Sequence, residues 1–459
     1  MRVALFARLL VTACLVLAGG SLLPVPLEAR VRPPKLDYRY LTLPNGLQVV
    51  LHEDHSTPIV NLQIWYHVGS KDEKTGRTGF AHLFEHMMFQ GSKNVTREQH
   101  NSMIASVGGD SNAYTTEDAT VFWETVPSQY LPLILWLEAD RMATLNVDQE
   151  NFLRERSVVK EERRQRIENQ PYGNLQEIVY SHAFTVHPYK HMVVGSMADL
   201  DAASLADVQE FHKAYYVPAN AVAVLTGDFD GEKALDLLQR YLGRVPKATK
   251  ALKRDIPQEP AQTQEKRATV EESVPLPAVV VAYHITYDGH PDSYPLHIAS
   301  KVLSDGQSAR IYKSLVYEKR LALAAFGGGN LIEDPNLFFA TAIVQPGHTP
   351  DEVEKALVAE MDRLRNEPVS EHELERTKNQ FARDYILGRQ TIKDKGETLG
   401  HAAVIHHGDM NTADGEFDIF MNVKSTDVQR VAQTYFTPQN RLVMYIMPRG
   451  QAGATGGAR

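Results

Sequence analysis

The chain has 459 residues, 43% of them apolar and 23% charged, the balance of an ordinary folded protein and too long for one ordinary core. Its 57 acidic and 48 basic side chains leave a net charge of −9, which argues against nucleic acid as the main partner, and it has no Gly-rich phosphate loop of the Walker type. The single cysteine, Cys14, excludes a disulfide framework and a cysteine-ligated zinc, so histidine and carboxylate must supply any metal ligands.

From the N-terminus, Arg2 and Arg8 flank the start of an apolar run at 9–17, and Ala18-Gly19-Gly20 or Ala29 offers small residues for cleavage. This is the pattern of a secretory signal, so 1–29 is read as signal peptide and mature N-terminal extension, with an uncleaved anchor as the alternative. No other segment approaches ~18 uninterrupted apolar residues, so no stable membrane span is expected in the mature chain.

Ordered structure is expected from about Tyr38. Asn45-Gly46 within 41–51 marks a β-hairpin turn. Residues 59–67 alternate and are rich in β formers, a strand; 80–89 is helical and stopped by Gly91. A strand over 113–126, helices over 130–145, 149–167 and 204–215, and a buried strand at 221–226 complete a first domain spanning 38–245. Pro246, Pro257 and Pro260 among Gln, Lys and Glu suggest an exposed linker over 246–275. The second domain, 276–449, carries strands at 278–286, 337–344 and 442–447 and helices at 294–303, 309–318, 350–365 and 370–388. The Gly/Ala-rich tail 450–459 is expected to be disordered. Each domain opens with a strand, continues through helices and further strands, and closes with a strand. The order has no regular βαβ rhythm. The fold class is therefore α+β, with two similar domains, each a largely antiparallel sheet covered by helices.

The chemistry-bearing segment is His82-Leu83-Phe84-Glu85-His86. Positions i, i+3 and i+4 share one helix face, so two imidazoles could hold one metal ion with a carboxylate beside it. Buried imidazoles on an apolar helix need partners. Downstream, Glu155 and Glu162 are seven residues apart in a helical pattern and face the same way. A solvated, ion-paired helix is the plainer reading of that charged segment.

The H-x-x-E-H spacing is the inverzincin signature. Here the sequence resembles the zinc metallopeptidase family of pitrilysin, insulin-degrading enzyme and the mitochondrial processing peptidases, over about 38–447. In that family a glutamate 76 residues beyond the second histidine completes the metal site, and another lies seven residues before it. Counted from His86, these positions are Glu162 and Glu155. The resemblance thus implies one Zn²⁺ per chain on His82, His86 and Glu162, with Glu85 as general acid/base and Glu155 fixing a metal-bound histidine. It also implies that Asn112 and Ala113, within Gly108-Gly109-Asp110-Ser111-Asn112-Ala113-Tyr114-Thr115, contact substrate by strand addition. Read alone, those glycines make a turn that Asn112 caps.

Members with a complete site carry an arginine, and a tyrosine seven residues later, in the second domain, where they hold the substrate carbonyl and oxyanion. Here those positions fall on Tyr317 and Ala324. Some members are two half-length chains closing as a clamshell, with zinc in one and the Arg/Tyr pair in the other. The expectation is therefore a secreted, periplasmic zinc endopeptidase of peptides or small proteins, the zinc-bearing subunit of a heterodimer, with a weakly active homodimer as fallback. A non-catalytic scaffold of the same fold and a metal-storing or metal-sensing protein are the competing readings. His187 and His191 read as loop residues, His406-His407 as divergent neighbours binding metal adventitiously at most, and Gly327-Gly328-Gly329 as a flexible turn.

Overall fold

The asparagine–glycine pair at the start of the ordered chain does what its chemistry allows. Gly46 takes a φ of 95°, and the Asn45 side-chain amide donates to the carbonyls of Leu242 and Val245 at 2.9 and 3.0 Å. The turn joins β1 (Arg39–Thr42) to β2 (Gln48–Glu53) in a computed structural model that describes residues 32–248 and 252–450. The expected signal segment 1–29 and residues 451–459 of the expected tail lie outside the described residues.

β3 (Ile59–Tyr66), β4 (Asp110–Thr115), β5 (Thr120–Pro127) and β6 (Ala221–Gly227) complete a six-stranded sheet in the order β1-β2-β6-β3-β5-β4. Only β2 and β6 run parallel. A five-stranded sheet follows: β7 (Lys266–Glu272), β8 (Ala278–His284), β9 (Ala322–Gly329), β10 (Leu337–Val344) and β11 (Arg441–Pro448), ordered β7-β11-β8-β10-β9. Its single parallel pair is β7 with β11. The second order reproduces β2-β6-β3-β5-β4 strand for strand, parallel pair included, so the repeated strand–helix rhythm reflects one topology used twice. The fold class is α+β with largely antiparallel sheets.

Three expectations are corrected. The strand expected over 113–126 is two strands, because Thr116 closes a turn: its N–H donates to the Ala119 carbonyl at 2.8 Å and its hydroxyl accepts from the N–H groups of Asp118 and Ala119. The stretch expected to be linker, 246–275, contains β7, whose alternating pattern supplies one face to the sheet beside β11. Gly327-Gly328-Gly329 is no flexible turn but the end of β9, paired with Phe338 to Ala340; a Cβ at position 327 would collide with the Phe339 carbonyl.

Both faces of both sheets are covered, and the covers are exchanged. On β3, Val60, Leu62, Ile64 and Tyr66 point into the main core of the first lobe, while Asn61, Gln63 and Trp65 point the other way. That second face is roofed by α3 (Ile392–Val404), which belongs in sequence to the second half and packs Leu399, Ala402 and Ala403 beside Trp65, Val222 and Val224. The polar side chains are satisfied there: the Gln63 amide donates to the Lys393 carbonyl at 2.9 Å, and the Trp65 indole N–H donates to Gln63 at 2.8 Å. Reciprocally, the helix Leu175–Ala183 from the first half packs Val179, Tyr180 and Ala183 on the outer face of the second sheet, against Val280, Ala282 and Met444.

Gly400 sits where α3 lies closest to the sheet, and a Cβ there would run into the Trp65 indole, which is buried and pinned by Gln63. In an open helix Gly→Ala stabilises by up to ~1 kcal/mol. Gly400→Ala is expected to do the reverse and cost about 1–3 kcal/mol by overpacking, read from urea unfolding midpoints.

Candidate metal centre

The motif helix, α1 (Phe80–Met87), starts at Gly79, whose φ of 92° sets the entry angle. The buried Glu73 carboxylate accepts from the N–H groups of Gly79 and Ala81, both at 2.8 Å, so two of the first-turn donors are satisfied. Phe80, Leu83, Phe84 and Met87 enter the core. The same 3.6-residue period leaves His82, Glu85 and His86 on the opposite stripe.

The facing helix, α2 (Gln149–Arg163), is capped by Asp148, whose carboxylate accepts from the Asn151 N–H at 2.9 Å. Phe152 and Val159, seven residues apart, are buried in the core. Glu155 and Glu162, also seven apart, meet α1. Past Arg163 the chain widens into a π turn at Arg164–Glu168, so the expected helix 149–167 is regular only up to Arg163.

His86 Nε2 lies 3.2 Å and His82 Nε2 3.7 Å from the same Glu162 Oε2. One ligand atom from each of the three lies within 4.8 Å of the others. A tetrahedral zinc with bonds of ~2.0–2.1 Å has ligand–ligand edges of about 3.4 Å, so the donor set fits in chemistry and in spacing. His86 turns its other nitrogen, Nδ1, towards Glu155 Oε2 at 3.7 Å. Burial, helped by His86, pushes the His82 imidazole down to about 4. Burial also opposes a charge on His86, but the Glu155 and Glu162 carboxylates outweigh it and bring His86 to about 9. The His86 contact, against burial, holds the Glu162 carboxyl below its ordinary range.

Glu85 borders this centre without joining the triad. Burial pushes its carboxyl above the usual range, and the Thr115 hydroxyl donates to its Oε2 at 2.7 Å. Thr115 ends β4, an edge of the six-stranded sheet whose only strand neighbour among the described residues is β5. A cavity of about 310 Å³ runs between them, bordered by Glu85, His86, Glu155, Ser111 and Asn112. Ala113 is the next residue on the strand. The Asn112 side-chain carbonyl accepts from the Ala113 N–H at 2.8 Å, so strand addition here would have to displace that contact.

Two residues that hold the site escaped the sequence reading. Thr115 lay in the quoted glycine-rich segment but had no assigned partner. Glu73 precedes the motif by a turn and a loop, and no local spacing marks it as the anchor of the helix start. Arg166, 2.6 Å from Glu162 Oε1, engages the carboxylate oxygen turned away from the imidazoles. In the second lobe, Tyr317 is 58% exposed and packs on Tyr312, and Ala324 lies in β9. His187 is the N-cap of a short turn, accepting from the Tyr189 N–H.

Residues 48–196 match the family model "Insulinase (Peptidase family M16)" and residues 202–381 match "Peptidase M16 inactive domain". The chain is 30% identical over 414 residues to "Zinc protease PqqE" of Helicobacter pylori, covering 89% of this chain and 92% of the relative. The crystal structure of a protease from Helicobacter pylori has the same fold at a TM-score of 0.86 and 30% identity, over 90% of this chain and 100% of that one. The periplasmic protease PqqL from Escherichia coli shares the fold at a TM-score of 0.71 and 17% identity; 90% of this chain corresponds to 48% of PqqL.

Proposed function

The chain belongs to the insulinase (M16) family of peptidases, and from that premise we propose that it is a zinc-dependent endopeptidase that hydrolyses extended peptides. The observation that carries the reading is the meeting of His82 and His86 from α1 with Glu162 from α2 around one cation-sized gap. Bound zinc supplies Lewis acidity, polarising a scissile carbonyl and lowering the pKa of water towards ~7.

The chain's own groups do the rest. Glu85 takes the proton from the attacking water and returns it to the leaving amine. Burial raises its carboxyl above the ordinary range, which favours return of the proton, and the Thr115 hydroxyl holds one of its oxygens in place. Glu155 holds the His86 ring from the Nδ1 side, fixing tautomer and orientation. β4 offers its free edge to the substrate backbone, with Asn112 and Ala113 as contacts, so recognition rests on main-chain hydrogen bonds and admits many sequences.

We place one zinc at the H-x-x-E-H centre of each chain and the mature protein in the periplasm, and we read the active species as a heterodimer. The basis for the partner is Tyr317 and Ala324, which stand where an arginine and a tyrosine would stabilise the oxyanion, a large share of catalysis in such sites. A homologous half-length subunit would supply both. The same observation favours the scaffold reading, and the description of the second family model as an inactive domain adds to it.

A quenched-peptide assay separates the readings. Cleavage is expected to vanish with chelator, return with zinc, and rise sharply with a partner carrying the Arg/Tyr pair. A zinc-loaded chain inert with every such partner would be a scaffold. Glu155→Ala is expected to weaken zinc binding about 10–100-fold, measured by competition with a chromophoric chelator.

A further inference from the structure

A second cluster of imidazole and carboxylate lies elsewhere on the fold, where α3 ends. His401 occupies the last turn of α3. The helix then reverses sharply: the His406 N–H donates back to the His401 carbonyl at 3.3 Å, and His407 and Gly408 follow with φ of 52° and 85°. This reversal folds the His406 ring beside that of His401, with centroids 5.0 Å apart and planes at 76°. His407 points away, towards Glu333 at 3.7 Å. The adjacent pair His406-His407 therefore does diverge, as the sequence suggested, but the partner of His406 is the histidine five residues earlier.

The third member arrives from the loop after β8. Asp288 is anchored there by its N–H, which donates to the Ile332 carbonyl at 2.8 Å. Asp288 Oδ2 lies 3.1 Å from His406 Nε2 and 3.5 Å from His401 Nε2. One ligand atom from each residue lies within 4.8 Å of the others. These separations bracket the edge of about 3.4 Å expected for a tetrahedral zinc, as closely as those of the motif site do. The His406 side chain is 5% exposed and its Nδ1 is buried without a hydrogen-bond partner, whereas the His401 side chain is 43% exposed. The cluster is thus fixed on one side and open on the other. It opens on a cleft of about 230 Å³ that Glu416 also lines, placing a carboxyl nearby as a candidate fourth ligand. Among the described residues the one guanidinium lining that cleft, Arg389, is committed elsewhere: it stacks on Tyr385 and donates to the Ala413 carbonyl at 2.5 Å.

We propose that Asp288, His401 and His406 form a second divalent-cation site, of the imidazole–carboxylate kind that takes zinc, separate from the H-x-x-E-H centre. Its place in the fold gives it a structural task. α3 roofs the first sheet, and Asp288 belongs to a loop of the second lobe, so a cation here staples the end of the exchanged helix to the lobe it comes from. No substrate group is required, and the site stands whether or not the chain proves to be a peptidase.

The test counts zinc. Full chain saturated with zinc chloride and desalted is expected to hold two zinc ions by mass spectrometry of the metal. His401→Gln and His406→Gln are each expected to hold one fewer than the unaltered chain, with the motif site still loaded. In a His86→Ala background, added zinc is expected to raise the unfolding temperature, and the rise to disappear when His406→Gln is combined with it. His401→Gln, on the open side, keeps the count readable if His406→Gln fails to fold. Equal zinc content in the unaltered chain and both glutamine variants, or no zinc-dependent rise in the His86→Ala chain, overturns the proposal and leaves two imidazoles beside a carboxylate.

Discussion

Glu85→Gln is expected to retain zinc and to lose peptide cleavage by about 10²–10⁴-fold, the share that a positioned general acid/base supplies. The amide is nearly isosteric and can still accept from the Thr115 hydroxyl, so the 2.7 Å contact and the packing of α1 should survive. What it cannot do is take a proton from water. Glu85 also lies outside the set of side chains that converge on the cation, which predicts unchanged metal content. The measurement pairs metal analysis with kcat on a quenched peptide, in the presence of the partner if one is needed. Near-normal kcat in a zinc-replete Glu85→Gln chain would assign the proton to another group, and among the described residues the other carboxylate bordering the cavity is Glu155, which lies against His86.

The second large effect concerns the carboxylate from the distant helix. Glu162→Ala is expected to weaken zinc binding by more than ~10²-fold, beyond what loss of a supporting residue costs, and to abolish cleavage with it. Removing Glu162 takes away the one oxygen that both His82 and His86 approach, at 3.7 and 3.2 Å. Two imidazoles on adjacent turns of one helix then remain, and two ligands make a weak site. The check is zinc affinity by chelator competition, with circular dichroism to show that α2 persists. Persistence is expected, because Phe152 and Val159 keep that helix in the core. An unchanged affinity would mean that Glu162 is only an ion-pair partner of Arg166 and that the metal reading fails.

How much of this was legible in the sequence depended on the range of the interaction involved. The 3.6-residue period placed His82, Glu85 and His86 on one stripe, and the same period put Glu155 and Glu162 on another. Both follow from local geometry. That the two stripes face each other does not; spacing alone left an ion-paired helix as the simpler account, and the family resemblance supplied the link. Turn chemistry was readable at Asn45-Gly46 but not at Thr116, where a side-chain hydroxyl, with no glycine or proline to announce it, divides β4 from β5. The glycines of β9 looked like breakers because their reason lies across the sheet, in the close approach of the Phe339 carbonyl. α3 went unnoticed because its apolar residues are few and its glycines, Gly396 and Gly400, read as weak helix formers. Their value is that they let the backbone settle on Gln63 and Trp65. The histidine pair at 406–407 was judged by the direction of neighbours on a helix, which says nothing about a residue five positions earlier across a reversal.

The crossed roofing of the two sheets bears on how such chains can be recombined. A crossover between homologues placed at the junction near residue 250 would look natural, since each side keeps a whole sheet. It would nevertheless mismatch both roofs, because the helix over each sheet is inherited from the other parent. Viable chimeras should exchange 175–183 together with the second sheet, and 392–404 together with the first, so the unit of inheritance is interleaved along the gene instead of divided at its middle.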